Sequence, residues 1–314
     1  MNTKSPTLVT GAGGCIGAWI VRQLLAEEAP VLALDLHRDD RRLGLLVGAA
    51  ELDRVTWVEA DVTHLAALRA VLEDHEVGAV IHLAALQAPF CRADPPLGAA
   101  VNVVGTVNLL EALAAGGQRT GPFVYASSIA AAAREGEAHP TTVYGVYKLA
   151  CEGVADVYLR EHGMPSIGLR PHTVYGLGRD QGITSAPTVA MLAAATGAEY
   201  EIPFTGRLTM QYAPDVAAAF IAASRATDYE GAGVFDLPGD TVDVDRILAA
   251  IEAAAPGAAL SAVGEHLPFP ADVAPDPSAP FSAALSPTPF ADGVAESVTR
   301  FRELHTADRI AAPG

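Results

Sequence analysis

The sequence predicts an α/β fold, a doubly wound parallel sheet followed by a smaller C-terminal lobe. Three observations carry this. Short apolar runs alternate with helical stretches through the first half of the 314 residues. A glycine-rich turn, "VTGAGGCIGAW", joins the first run to the first helix. After Pro171 the alternation breaks into short strands, mixed helices and a proline-dense stretch. Apolar strands alternating with helices need both faces of a parallel sheet covered. Right-handed crossovers then wind the sheet in both directions.

The elements follow in order. "TLVTGAG" reads as a strand and "CIGAWIVRQLLAEE" as a helix. "PVLALDL" and "RVTWVEADV" are the second and third strands. "THLAALRAVLEDHE" is a helix, with Thr63 as its expected N-cap. "AVIHLAA" is a strand, and "AAVNVVGTVNLLEALAAGG" a helix stopped by glycines. "PFVYASS" is a strand. A helix then runs through "KLACEGVADVYLREHG" to Gly163, and "SIGLRP" follows as a strand. Residues 1–171 thus form the dinucleotide-type core. Residues 172–314 form mainly a substrate-side lobe, with some segments returning to the core. The stretch Pro268–Pro289 holds seven prolines in 22 residues and cannot be a regular helix. It is expected to wrap the surface, and "DGVAESVTRFRELHTADRI" closes the chain as a helix.

Half of the residues are hydrophobic, enough for one large core. A net charge of −17 argues against a nucleic-acid binder, which needs a basic surface. No apolar run is read as reaching the roughly 18 residues of a membrane span, so no membrane partner is expected. "MNTKSPTLVTGAGG" lacks the apolar core of a signal peptide. Cys15, Cys91 and Cys151 have neither metal-like nor disulfide-framework spacing and read as reduced thiols. The nine histidines form no HxH or HxxxH cluster, so no metal is expected. The expected location is cytoplasmic.

Gly11, Gly14 and Gly17 are spaced GxxGxxG between a strand and a helix. The first lets the backbone turn, the second lets a pyrophosphate approach the helix N-terminus, and the third lets helix and strand pack closely. Asp35 ends the second strand about 20 residues on. Its carboxylate can accept both ribose hydroxyls and repels a 2′-phosphate, which favours NAD over NADP. Arg38, Arg41 and Arg42 follow and read as a solvated loop.

"TTVYGVYKLACE" holds two tyrosines and a lysine. Residues four apart share a helix face, so Tyr144 and Lys148 can enter one cleft, while Tyr147 points about 100° away. A free phenol ionises near pH ~10, and a nearby cation favours the phenolate. The pair therefore suits proton transfer.

Together these segments resemble the extended short-chain dehydrogenase/reductase family over nearly the whole chain. "VTGAGGCIG", "ADV", "IHLAA", "VNVVGTVNLLEA", "VYASSIA", "YGVYK" and "LRPHTVYGLGRD" carry the resemblance. Tyr147 departs from it, since the family usually has Ser or Thr there. The resemblance implies a catalytic set of Ser128, Tyr144 and Lys148. Tyr144 would be the general acid/base, Lys148 would hold the nicotinamide ribose and favour the phenolate, and Ser128 would bond the substrate oxygen. Ser127 is the neighbouring alternative; strand alternation sends one of the two toward the cleft. Tyr147 would pack or line the cofactor cleft. NAD would touch Gly11, Gly14, Cys15, Ile16, Gly17, Asp35, Asp61, Val62, Leu83, Ala84, Ala85, Asn102, Tyr144, Lys148, Pro171 and Val174. A homodimer would pair the "NVVGTVNLLEALAAG" helix and the Tyr144 helix across a two-fold.

The substrate is less defined. Relatives that act on sugar nucleotides anchor a diphosphate with an asparagine after "RP" and arginines further on. Here His172 follows Pro171, and the expected later arginine falls on Leu208, with Arg207 one residue off. The layout from Gly182 to Asp215 resembles that of short-chain-type L-threonine 3-dehydrogenase. Gln87, Ser128, His172, Thr184 and Gln211 are therefore candidate pocket residues. The reading is an NAD-dependent oxidoreductase acting on a secondary alcohol of a small polar substrate: a sugar acid, polyol or hydroxy amino acid. A sugar-nucleotide 4-epimerase or dehydratase is the alternative, and a non-catalytic NAD-sensing protein a second.

Overall fold

In the computed structural model, residues 5–116 and 121–313 are described. Twelve strands occur among them: β1 (Thr7–Thr10), β2 (Val31–Asp35), β3 (Thr56–Glu59), β4 (Ala79–His82), β5 (Phe123–Ala126), β6 (Ser166–Arg170), β7 (Thr173–Tyr175), β8 (Tyr200–Ile202), β9 (Arg207–Tyr212), β10 (Ala232–Asp236), β11 (Asp240–Asp243) and β12 (Leu260–Ala262). Seven form one parallel sheet in the order β10-β6-β5-β4-β1-β2-β3. The chain leaves β1 toward β2 and β3, then returns to the other side of β1 as β4. That reversal opens a crevice at the carboxyl ends of β1 and β4, where open α/β sheets bind ligands. Sheets β11-β9-β7 and β12-β8 belong to the later lobe, while β10 returns to the main sheet beside β6.

Alternation along β1 shows why the sheet is covered on both faces. Leu8 packs into one core cluster with Leu32, Leu68, Leu109 and Phe123. Its neighbour Val9 packs into the other, with Ile20, Leu24, Phe220 and Ile221. Both are fully buried. The helices Cys15–Ala26 and Ala213–Ser224 cover the second face.

The helix that carries Tyr144 spans Val143–His162. Thr142 caps it, its Oγ1 accepting the Gly145 N–H at 3.0 Å, a contact worth about 1 kcal/mol. Gly163 stops it in the left-handed conformation at φ 59°. Its inner face buries Lys148, Cys151, Glu152, Ala155 and Tyr158.

Three details differ from expectation. Thr63 does not cap the helix that precedes β4, which spans Leu65–Asp74 with His64 at the cap position. Thr63 instead donates its N–H and hydroxyl to Asp61 Oδ1, at 2.8 and 2.7 Å. The local Asp–Thr turn outcompetes the cap. The expected continuous helix through Asn102 is three pieces: Pro95–Ala99, a π-turn at Ala100–Val104 and Gly105–Gly116. Gly105 has no room for a side chain, since a Cβ would lie 2.7 Å from Val62 Cγ2. Part of its expected glycine stop, Gly117, lies outside the described residues. Contrary to the reading of its apolar runs, Pro95–Gly116 is long and apolar enough to span a membrane by length and composition. It buries Leu109, Leu110, Ala112 and Leu113 in the core, as a core helix does.

The glycine turn is tight. A Cβ on Gly17 would sit 2.4 Å from Gly11 O and 2.8 Å from Ala12 Cα. Both obstacles are backbone, so the turn itself would have to move. Gly17→Ala is therefore expected to cost about 1–3 kcal/mol, despite alanine's better helix propensity. Urea unfolding of the variant checks this, and unchanged stability would contradict the close packing.

Candidate active site

One cavity of about 690 Å³ runs along the carboxyl ends of the strands. At one end lie Asp35, Leu36, Asp61 and Val62; at the other lie Ser128, Tyr144, Lys148, His172 and Thr184. Gly11, Gly14, Cys15, Ile16 and Gly17 form its middle, with Leu83, Ala84 and Ala85 opposite. Pro171, Val174 and Gln87 complete the sequence-predicted wall. Asn102 and Gln211 do not line it.

The glycine turn suits a dinucleotide. Gly11 has φ +70°, and a Cβ there would lie 2.7 Å from Ala84 N. The loop therefore approaches the strand opposite as closely as backbone allows. Gly14, at the N-terminus of the helix, meets only Gly11 O at 3.1 Å, so that side is open to the cavity. Asp35 Oδ2 accepts the Gly13 N–H at 2.9 Å, and Oδ1 accepts the Leu36 N–H at 2.8 Å. The carboxylate is thereby fixed at the end of β2 with lone pairs to spare.

The three arginines after Asp35 divide. Arg38 pairs with Asp40 and Arg41 with Asp39, both exposed. Arg42 is a correction to the solvated-loop reading: it is buried. Its guanidinium holds Asp180 Oδ1 at 3.0 and 2.8 Å and Gly13 O at 2.8 Å. It pins the glycine turn to the loop after β7.

A buried relay fixes the floor. Thr10 Oγ1 accepts the N–H groups of Leu83 and Ala84 at 3.2 and 3.3 Å and donates to His82 Nδ1 at 2.7 Å. His82 Nε2–H donates to Thr106 Oγ1 at 3.1 Å, which donates to Asn102 O at 2.7 Å. Asn102 in turn holds both the N–H and the C=O of Leu86, at 2.7 and 2.9 Å. Asn102 thus supports the loop that presents Gln87 and does not itself face the cavity. Burial drives the His82 pKa down to about 3, with Lys148 nearby adding to the shift. His82 and its relay were missed in the sequence, although "IHLAA" contained it.

Lys148 is buried and donates from Nζ to Ala126 O at 2.7 Å. The same Nζ lies 5.8 Å from the Tyr144 ring centroid. Ser128 Oγ accepts the Ala130 N–H at 3.1 Å, which leaves its hydroxyl free to donate. Ser127 is committed elsewhere: it donates to the buried Glu152, which also binds Arg170 at 2.8 and 2.6 Å. Tyr147 does not line the cleft; its hydroxyl donates to Pro95 O at 3.0 Å. Cys15 lines the cavity, and burial pushes its thiol up to about 11 against the opposing pull of Arg179 and Arg42. It stays a neutral thiol near pH 7.

The proline-dense segment reaches the site. Pro268 and Phe269 line the cavity. Phe269 meets the His172 ring edge-on, centroids 5.3 Å apart. His172 Nε2–H donates to Pro270 O at 2.8 Å. Its Nδ1 accepts from the Thr173 hydroxyl at 3.1 Å. Burial lowers its pKa to about 4. Gln211 lies beneath, accepting the His172 N–H at 2.7 Å and donating to Leu237 O at 2.7 Å. It is a buried brace for His172, set back from the pocket. Arg207 pairs with Asp272 of the same segment at 2.8 Å and is exposed; Leu208 is buried. Arg179, with Gln181 nearby, is a polar wall residue that the sequence reading left unassigned. It stood in the quoted "GLGRD" stretch, and its Nη2 donates to Thr184 Oγ1 at 2.7 Å.

A family model described as the NAD dependent epimerase/dehydratase family matches residues 7–236. The chain belongs to this family and is an NAD-dependent enzyme of short-chain dehydrogenase/epimerase type. The UDP-glucose 4-epimerase of Mycolicibacterium smegmatis is 34% identical over 203 residues, 60% of this chain. The match spans 64% of that enzyme's length. The dTDP-L-rhamnose 4-epimerase of Burkholderia thailandensis is 28% identical over 77% of this chain and 80% of its own. The Thermus thermophilus UDP-glucose 4-epimerase, solved in complex with NAD, superposes with a TM-score of 0.77 at 26% identity, covering 95% of this chain and 99% of that one. A partial-consensus L-threonine 3-dehydrogenase shares the fold with a TM-score of 0.81 at 23% identity, over 95% and 99% of the two chains.

His82 and His172 make stability depend on pH. Both have folded pKa values below the roughly 6.5 of an unfolded histidine. The unfolded chain therefore binds more protons as pH falls below about 6.5, and stability is lost down to the folded values near 3 and 4. Each histidine steepens that loss by up to about 1.4 kcal/mol per pH unit. Urea unfolding at pH 7 and pH 5 should show a smaller loss for His172→Asn than for the unaltered chain. Equal losses would count against a neutral His172.

Proposed function

We propose that this chain oxidises a secondary alcohol of a small polar molecule, or reduces the matching ketone, with NAD. The observation that carries the reading is the meeting of Ser128, Tyr144 and Lys148 in the cavity that also holds Asp35 and the glycine turn. The backbone N–H groups at Gly14–Ile16 suit the pyrophosphate, and Asp35 suits the adenosine ribose. NAD supplies a hydride acceptor at its nicotinamide for the hydrogen on the carbinol carbon. The protein's part is the proton. Tyr144 takes the alcohol proton as general base while the C=O bond forms, and Lys148, held by Ala126 O, lies beside its ring. The Ser128 hydroxyl donates to the same substrate oxygen and orients it.

Two features favour a small substrate over a sugar nucleotide. His172 stands where an anchoring asparagine would, and both its ring nitrogens are already bonded within the protein. Arg207, one residue from the expected later arginine, is paired with Asp272 and does not line the cavity. Sugar-nucleotide 4-epimerisation is the second reading, because the M. smegmatis and B. thailandensis relatives carry that activity in their names. A spectrophotometric panel of alcohols, sugar acids, hydroxy amino acids and sugar nucleotides separates the two. Net NADH formation supports the dehydrogenase; interconversion without net NADH supports the epimerase. Tyr144→Phe is expected to lower turnover by a factor of about 10²–10⁴ with NAD affinity retained. Near-normal turnover in that variant would remove Tyr144 from the chemistry.

We infer a homodimer as well. Val146, Leu149 and Val157 are exposed on one stripe of the helix Val143–His162, and Val104 is exposed on the neighbouring helix. An apolar stripe at helical spacing is costly to leave in water. Sedimentation equilibrium at micromolar concentration should give twice the chain mass of 32.4 kDa; a monomer would overturn the inference.

A further inference from the structure

The polar groups of the cavity are divided by charge. Asp35 and Asp61 stand at the β2–β3 end, and Lys148 and Arg179 at the Tyr144 end. Among the described residues Arg179 has no carboxylate partner. Its neighbour Asp180 is taken by Arg42. Among the described residues the Arg179 guanidinium makes one hydrogen bond, to the neutral hydroxyl of Thr184, and its Nε is buried without an acceptor. Burial also pulls its pKa below the ordinary arginine value, yet a guanidinium stays charged in proteins. A half-buried cation with most of its N–H donors unused is a costly arrangement for folding alone.

The surroundings suggest what offsets that cost. Gly182, at φ +83°, turns the loop back beside the Arg179 fork. A Cβ on Gly182 would lie 2.4 Å from Gln87 Oε1 and 3.7 Å from Arg179 Nη2. Guanidinium, primary amide and threonine hydroxyl therefore converge on one corner of the cavity, on the side that holds Tyr144. A planar guanidinium fork matches a carboxylate, which accepts two parallel N–H bonds; the Thr184 hydroxyl, and the Gln87 amide turned to present its NH2, add donors.

We propose that Arg179, with Gln87 and Thr184, is the carboxylate-recognition subsite of this enzyme, and that its substrate is a small hydroxy acid. This rests on the oxidoreductase reading above and narrows it: the polyol option falls away. The competing anion is the cofactor's own pyrophosphate, since Cys15 at the helix N-terminus interacts electrostatically with Arg179. The hydrogen-bonded end of the guanidinium, Nη2, is the end beside Thr184 and Gly182, which favours the substrate.

The test uses matched probes that differ in charge: D-gluconate against D-glucitol, and L-threonate against L-threitol. The NADH-loaded chain is followed by thermal shift, and NAD affinity by fluorescence titration. At least one acid is expected to raise the melting temperature more than its polyol. Arg179→Gln should abolish that difference and leave the NAD dissociation constant within about twofold. Arg179→Lys, which keeps the charge but loses the fork, should restore part of it. Where an acid is turned over, Arg179→Gln should lower its kcat/KM about 10- to 100-fold, the range of a charge-assisted contact, mainly through KM. Three results overturn the proposal: no acid favoured over its polyol, equal loss for acid and polyol, or a fall in NAD affinity matching the loss of acid binding. Acid-selective binding with no NADH formed would sink the oxidoreductase reading while leaving the subsite in place.

Discussion

The cleft depends on one buried relay, the hydrogen bonds that run Thr10–His82–Thr106–Asn102–Leu86. It joins the ends of β1 and β4, where the sheet order reverses, to the π-turn of the helix behind them. Each member satisfies another, so the relay needs a neutral imidazole of one tautomer. The apolar surroundings enforce neutrality by penalising the charged ring. Without that, a proton on Nδ1 would compete with the Ala84 N–H for the lone pairs of Thr10 Oγ1, while the Leu83 N–H would keep its bond to Thr10 O. A fully satisfied buried network of this kind rigidifies its surroundings more than separate contacts do.

Much of this architecture was legible in the sequence because it is local. Strand–turn–helix with GxxGxxG encodes its own geometry: Gly11 needs a positive φ, and Gly17 needs the absence of a Cβ. The Tyr144–Lys148 pair is fixed by helical spacing alone. The choice between Ser127 and Ser128 was open in the strand pattern. It is decided by Glu152, a helix residue 25 positions away that claims Ser127. Arg42 was misjudged for the same reason, since its partner Asp180 is 138 residues distant. Thr63 failed as a cap because its turn with Asp61 leaves His64 at the cap position. The family asparagine and Gln211 look like ligand contacts by residue type. Each instead spends its amide on main-chain groups, which only the folded chain reveals.

The proline-dense segment gains its meaning from the same logic. Proline-rich chain has few N–H groups and little internal hydrogen bonding, so it must be held by side chains of the body. Here those side chains are Thr141, His172, Thr209 and Arg207, bonding to Pro268, Pro270, Ala271 and Asp272 in turn. Two of them, His172 and Arg207, stand at or next to positions where relatives acting on sugar nucleotides are expected to anchor their ligands, and Pro268 and Phe269 of the segment line the cavity. A position cannot both strap the segment down and hold a diphosphate.

The same strapping decides how an acidic chain handles a charged ligand. With a net charge of −17, the surface as a whole repels anions. Arg207 is paired with Asp272 outside the cavity lining. A small acid carries a single charge that is screened within about 8–10 Å at ordinary ionic strength. Lys148 and Arg179 both line the cavity, and the acid of the loop, Asp180, is paired with Arg42. The Tyr144 end of the cavity thus carries two cations, Lys148 and Arg179, in a chain whose net charge is −17.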